Sequence, residues 1–214
     1  MKKLFWLNIA LVVLTFIGIA VAYPYMPEKI PTHWNIDGVI DAYGSRAILF
    51  IMPSIMALVT VLIYFLPKID PKSKKAKGSE NTNMWIMFAI NLFTAAVTGF
   101  MIAAAFGYDV AMDKAICVLV GGLFIALGIY LPKVKPNYFI GIRTPWTLES
   151  ETVWVKTHHR GRRVFIISGL LFVSSIVLPP PINFMVPFAA LMGGVAGVVV
   201  YSFIVYKKEE KNNV

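Results

Sequence analysis

The sequence predicts an all-α integral membrane protein. Six transmembrane helices are expected, with both termini cytoplasmic, a short extracytoplasmic β-hairpin and a cytoplasmic interfacial helix. Three observations carry this reading. The 214 residues are 58% hydrophobic and only 14% charged, against about 25% charged in a soluble domain. Six apolar stretches recur along the chain, most of them near the roughly 20 residues that a helix needs to cross a bilayer. Lysine and arginine fall in alternate loops, as the positive-inside rule requires.

The stretches differ in quality. Residues 4–23 and 47–66 carry no charge, and residues 84–106 hold only Asn91 and threonines as polar groups. Residues 115–131 are shorter. Residues 164–178 are the shortest, about 22 Å at the helical rise, and need Arg162 and Arg163 to snorkel at their start. Residues 182–206 are full length, with Pro187 as an expected kink.

The loops set the orientation. One side gathers Lys2, Lys3, Lys68, Lys72, Lys74, Lys75, Lys77, Lys133, Lys135, Arg143, Lys156, Arg160, Arg162, Arg163, Lys207, Lys208 and Lys211. The other holds Lys29, Arg46 and Lys114. The net charge of +9 is this bias, so no direct nucleic-acid partner is expected: no soluble domain presents a groove. Lys2 and Lys3, the apolar run and Ala20-Val21-Ala22 mimic a secretory signal. The run exceeds the usual 7–15 residues, so a retained first span is expected. Along the chain, residues 1–66 read as a two-span N-terminal domain, 67–83 as a cytoplasmic linker, 84–206 as a four-span domain and 207–214 as a tail.

Cys117 is the lone cysteine; it builds neither an internal disulfide nor a thiolate metal site, and reads as a small packing residue. Gly121, Gly122 and Gly128, and the pair Gly193 and Gly197, read as places of close helix contact.

Outside, "IPTHWNIDGVIDAYGSR" centres on Asp37-Gly38, a strong hairpin signal between β-favouring residues. A two-residue turn would pair Ile36 with Val39, Trp34 with Asp41 and Thr32 with Tyr43. Trp34, Ile36, Val39 and Tyr43 then form one amphipathic side. The hairpin is expected to lie against the outer ends of the spans, because a hairpin alone is marginal in water. His33, Trp34, Asp37, Gly38 and Tyr43 are the candidate outer docking surface. No metal is expected on His33, Asp37 and Asp41, since this register puts His33 opposite Asp41 in facing.

Inside, "NYFIGIRTPWTLESETVWVKTHHRGRR" is a long polar insert in an apolar chain. Gly141 suits a turn or close backbone contact. Thr147 reads as the N-cap of a helix that Gly161 ends, with Glu149 and Glu151 in its first turn. Leu148, Thr152, Val155 and His159 would share one face of this interfacial helix, with Trp146 and Trp154 at headgroup depth. Arg143 suits a lipid phosphate or one of these carboxylates. His158 and His159 diverge by about 100° on a helix and share no metal.

This insert resembles the signature of the SdpI family, membrane immunity proteins against a secreted sporulation-delaying toxin. The resemblance runs from Asn137 to Gly161, and "IPTHWNIDGVIDAYGSR" resembles a small membrane domain that often precedes the family's own. It implies a multi-pass protein of the bacterial cytoplasmic membrane that protects its producer from a peptide toxin. It also implies a receptor that holds a cytoplasmic winged-helix repressor. Asn137, Gly141, Arg143, Thr144, Trp146, Thr147 and Trp154 match the motif, with His158 and Gly161 following, and form the candidate cytoplasmic binding and signalling site.

The competing classes are weaker. A small transporter or channel would place ionisable residues at mid-membrane; the spans hold none, and Asn91 reads as one end of an interhelical hydrogen bond. An enzyme would rest on Asp109 and Asp113, four apart at the outer end of the third span, with no motif to support the chemistry. No cofactor is expected, for neither HExxH nor a Gly-rich phosphate loop occurs.

Overall fold

The computed structural model describes residues 1–72 and 80–212. The middle of the expected linker, with Lys74, Lys75 and Lys77, lies outside the described residues. Among the described residues the helices are α1 (Lys2–Ala22), α2 (Ile51–Ile69), α3 (Glu80–Ala105), α4 (Met112–Tyr130), α5 (Pro145–Glu149), α6 (Glu151–Ser174) and α7 (Ile182–Asn212). Strands β1 (Lys29–Trp34) and β2 (Ile40–Ser45) form one antiparallel pair between α1 and α2.

Among the described residues, five helical segments are long and apolar enough to cross a membrane: Lys2–Tyr25, Arg46–Ile69, Glu80–Ala105, Met112–Lys133 and Ile182–Asn212. The fifth expected span is embedded in α6, whose first half carries Glu151, Lys156, Arg160, Arg162 and Arg163. This corrects the insert reading: the interfacial helix is not separate and Gly161 does not end it. At 24 residues, α6 is about 36 Å long. Its buried face is Val153, Trp154, Thr157, His158 and Gly161, while Thr152, Val155 and His159 are exposed. Trp154, read as lying at headgroup depth, is instead a core residue, stacked on the equally buried His158.

Helices α1, α2 and α3 pack together, and α4, α6 and α7 form a second group joined to the first through α3 and α4. A polar contact crosses the first group. Asn91 donates through Nδ2 to Asn8 Oδ1 and to Thr60 Oγ1, both at 2.9 Å, and Asn8 donates to the Met84 carbonyl at 3.2 Å. All three residues are fully buried. Asn91 thus makes the interhelical bond its sequence position suggested, with two partners that hydropathy alone does not reveal. In the second group, a Cβ on Gly121 would lie 2.6 Å from the Gly169 carbonyl, and one on Gly128 would lie 3.1 Å from the Arg162 carbonyl. Helices α4 and α6 therefore run antiparallel in near-backbone contact. Gly122, Gly193 and Gly197 meet nothing of this kind. Cys117 is fully buried, with Sγ 3.5 Å from the Asn183 carbonyl.

The hairpin sits over the ends of α1, α2 and α3. Ile30, fully buried, joins Ile19, Met26, Leu49, Met101 and Ala105 in one core cluster, and Trp34 packs on it. Arg46 donates to the Met26 carbonyl at 2.6 Å and the Tyr23 carbonyl at 3.1 Å. The register differs from the expected one: Trp34 faces Ile40, His33 faces Ala42 and Pro31 faces Tyr43, with irregularities between them. Asn35 is the cause. Its Oδ1 accepts from Asp37 N (3.0 Å) and Val39 N (2.9 Å), and its carbonyl accepts from Gly38 N (2.9 Å). That side-chain bonding widens the turn to Asn35–Gly38 and shifts the strands. His33 consequently meets Asp41, Nδ1 to Oδ1 at 2.6 Å, contrary to the expected facing. Asp109 and Asp113 likewise share no helix, because α3 ends at Ala105 and only Asp113 belongs to α4.

Candidate functional site

The residues singled out in the sequence lie at two opposite ends of the bundle. At the end away from the hairpin, the chain leaves α4 through the turn Leu131–Lys133 and winds around Asn137. Asn137 Oδ1 accepts from Phe139 N and Ile140 N at 2.7 Å, and Nδ2 donates to the Lys135 (2.8 Å) and Ile140 (2.9 Å) carbonyls. An asparagine bonding its own neighbouring backbone is a turn-maker. Asp70, at the end of α2, accepts from Tyr138 N (3.0 Å) and Lys72 N (2.8 Å), and is 1% exposed. It ties α2 to the loop. The sequence signal for it was slight: one acid in an otherwise basic run.

Gly141 has φ +121°, and a Cβ there would lie 2.5 Å from His158 Nε2. His158 Nε2 accepts from Ile142 N (3.1 Å), and Nδ1 lies 2.8 Å from the Trp154 carbonyl. A backbone N–H only donates and a carbonyl only accepts, so the proton is on Nδ1 and the ring is neutral. Burial lowers the imidazole pKa to about 4; the Trp154 carbonyl acts in the opposite sense, and His159 lowers it further. The ring stacks on Trp154 at 4.1 Å between centroids, and Trp154 donates through Nε1 to the Val134 carbonyl at 2.8 Å.

Thr144, not Thr147, caps the next helix. The two threonines form a reciprocal capping box around α5, and Thr147 also donates to the Ile142 carbonyl at 3.0 Å. Ser150 then caps α6. Trp146 reaches α7, donating to Ser202 Oγ at 2.5 Å beside Phe203. Neither tryptophan is free for headgroup contact along a separate helix. Arg143 is exposed and donates to the Tyr138 carbonyl, with no carboxylate partner among the described residues. Asn137, Gly141, Thr144, Thr147, Trp154 and His158 thus lock one loop against α6, Trp146 pins it to α7, and Arg143 faces outward.

At the hairpin end, a pocket of about 520 Å³ opens between the hairpin and α2, α3, α4 and α7. Trp34, Met101, Met112, Ile116 and Phe184 give it apolar walls; Asp113 and Asn183 are its polar members from α4 and α7. Of the expected docking residues, His33, Trp34 and Gly38 line it, whereas Asp37 sits in the turn with its N–H donating to Asn35 Oδ1, and Tyr43 is 62% exposed away from it. Sequence reasoning had no access to the pocket's helical walls, since they come from four separate segments.

Comparison with known proteins separates the two halves. The model of the SdpI/YfhL protein family matches residues 133–207, which hold the locked loop, α5, α6 and most of α7. A domain of unknown function (DUF1648) matches residues 10–57, which hold most of α1 and the hairpin. The immunity protein SdpI of Bacillus subtilis (strain 168) is 30% identical over 167 residues, 77% of this chain and 77% of that protein. The chain belongs to the SdpI family. An uncharacterized protein of Archaeoglobus fulgidus is 31% identical over 68 residues, 32% of this chain and 37% of that one. No solved structure matches. Family membership and the five apolar helices make the chain a membrane protein, and the likeness to an immunity protein supports a membrane immunity function.

Proposed function

We propose that this SdpI-family protein protects a bacterium from a secreted peptide toxin that it meets at the hairpin end. In this reading six helices cross the cytoplasmic membrane, both termini are inside, and the hairpin is outside. The antiparallel contact of α4 with α6 supports the sixth crossing, because it carries residues 164–174 along the same depth as α4. Arg162 and Arg163 then sit at the inner boundary. Residues 1–66 and 84–206 act as two units, the first presenting the hairpin and the second the locked loop. Arg143 and the exposed basic residues of α6 form a cytoplasmic face for lipid phosphates and for a winged-helix repressor. Toxin binding outside favours one arrangement of that face, through a difference in affinity between two states.

The observation that carries the proposal is the apolar pocket under the hairpin, at the end opposite nearly all the basic residues. Expression of the chain in a toxin-sensitive strain should raise survival against at least one of a panel of secreted antibacterial peptides. Trp34→Ala should lower the tolerated dose about tenfold, as loss of a buried aromatic anchor does. Arg143→Ala should leave survival intact and disturb only a repressor-controlled reporter. Unchanged survival across the panel sinks the immunity reading; equal loss in both variants at equal expression sinks the division of labour.

A further inference from the structure

The pocket has one feature that an apolar peptide alone would not satisfy. Asp113 lies on its wall, half-buried, and its Oδ2 accepts from Asn183 Nδ2 at 2.9 Å. Among the described residues no lysine or arginine pairs with it. Asn183 is fully buried, lines the same pocket and has its Oδ1 without a hydrogen-bond partner. Its amide orientation is dictated by the carboxylate, which accepts and cannot donate. The pocket therefore presents a carboxylate among apolar walls, with an unpaired, buried amide carbonyl in the same wall. A half-buried carboxylate among apolar walls gains from a cationic donor, and the described residues supply none.

A metal ion fits poorly, since the described residues hold no cluster of three His, Cys, Asp or Glu and hard cations want several oxygens. A guanidinium prefers a carboxylate with both oxygens free; here one is committed to Asn183. The hairpin tip also crowds this carboxylate: a Cβ on Gly38 would lie 3.0 Å from Asp113 Cβ. A compact primary ammonium meets these limits, with N–H groups for Asp113 and, after a small side-chain rotation, for Asn183 Oδ1.

We propose that the pocket beneath the hairpin is a receptor for a primary ammonium carried on an apolar peptide segment, with Asp113 as its counter-charge and Trp34, Met101 and Phe184 holding the apolar flank. The natural ligand rests on the toxin reading above, but the chemistry is testable without a toxin. The full chain in phosphatidylcholine nanodiscs would be titrated by calorimetry with N-acetyl-Phe-Lys-Leu-amide and with the same peptide carrying norleucine for lysine. The lysine peptide should bind saturably and about tenfold more tightly. Asp113→Asn, which keeps an acceptor for Asn183, should remove that preference; Trp34→Ala should weaken both peptides together. Equal affinities, no saturable binding or an undiminished preference in Asp113→Asn would overturn the proposal. So would loss of lysine-peptide binding in phosphatidylethanolamine nanodiscs, which would assign the site to a lipid ammonium. A failed survival test with intact lysine preference would remove only the toxin reading.

Discussion

Gly141→Ala should unfold the motif end of the protein. The backbone at 141 has φ +121°, a conformation that costs an L-residue of order 1–3 kcal/mol. The added Cβ would also stand 2.5 Å from His158 Nε2 and 3.1 Å from the Trp154 ring. Relief would need His158 to move, which leaves the partly buried Ile142 N–H without its acceptor, a further loss of about 1–3 kcal/mol. A destabilisation of about 3 kcal/mol or more follows from the two effects. It should appear as a large fall in melting temperature in detergent. Gly99→Ala is the control: nothing lies within 4 Å of its added methyl, and alanine is the better helix former. Similar melting of the two variants would show that residues 141 and 158 are not in contact.

The second large effect is with pH. His158 is held neutral, with its pKa lowered to about 4 chiefly by burial, while an unfolded histidine titrates near 6.5. Between these values the unfolded chain binds a proton that the folded chain refuses. Stability is therefore fully present above about pH 6.5, falls as pH drops toward 4, and is lost to the extent of about 3 kcal/mol below that. The structural reason is that Nε2 accepts the Ile142 N–H and cannot do so once protonated. Thermal melts from pH 7.5 to 4 should show this slope in the wild type and a flatter one in His158→Gln, whatever that variant's stability at pH 7.5. Parallel slopes would remove His158 as the cause.

Much of this was legible in the residues. Uninterrupted apolar runs gave most helices, because burial in lipid leaves helices as the economical way to satisfy backbone polar groups. Asp37-Gly38 marked the hairpin, and Asn91 marked a buried polar contact. The register was not legible: it depends on Asn35 bonding three backbone groups of its own turn, which the two-residue turn rule ignores. Gly161 looked like a helix end because glycine costs about 1 kcal/mol inside one. Its reason is tertiary: the Ile142 and Leu131 side chains occupy the place of its missing Cβ, at 2.6 and 2.9 Å. Trp154 looked interfacial by residue type, whereas its spacing of four from His158 puts both on the buried stripe. Asp70 needed the fold itself, since its partner Tyr138 N is 68 residues away.

The central claim is that the hairpin pocket faces the medium and the locked loop faces the cell interior. Single cysteines introduced as Asp37→Cys and Arg143→Cys, in a Cys117→Ala background, would be exposed to a membrane-impermeant maleimide in intact cells. The account predicts labelling of the Asp37→Cys protein at once, and of the Arg143→Cys protein only after permeabilisation. Labelling of Arg143→Cys in intact cells would contradict it.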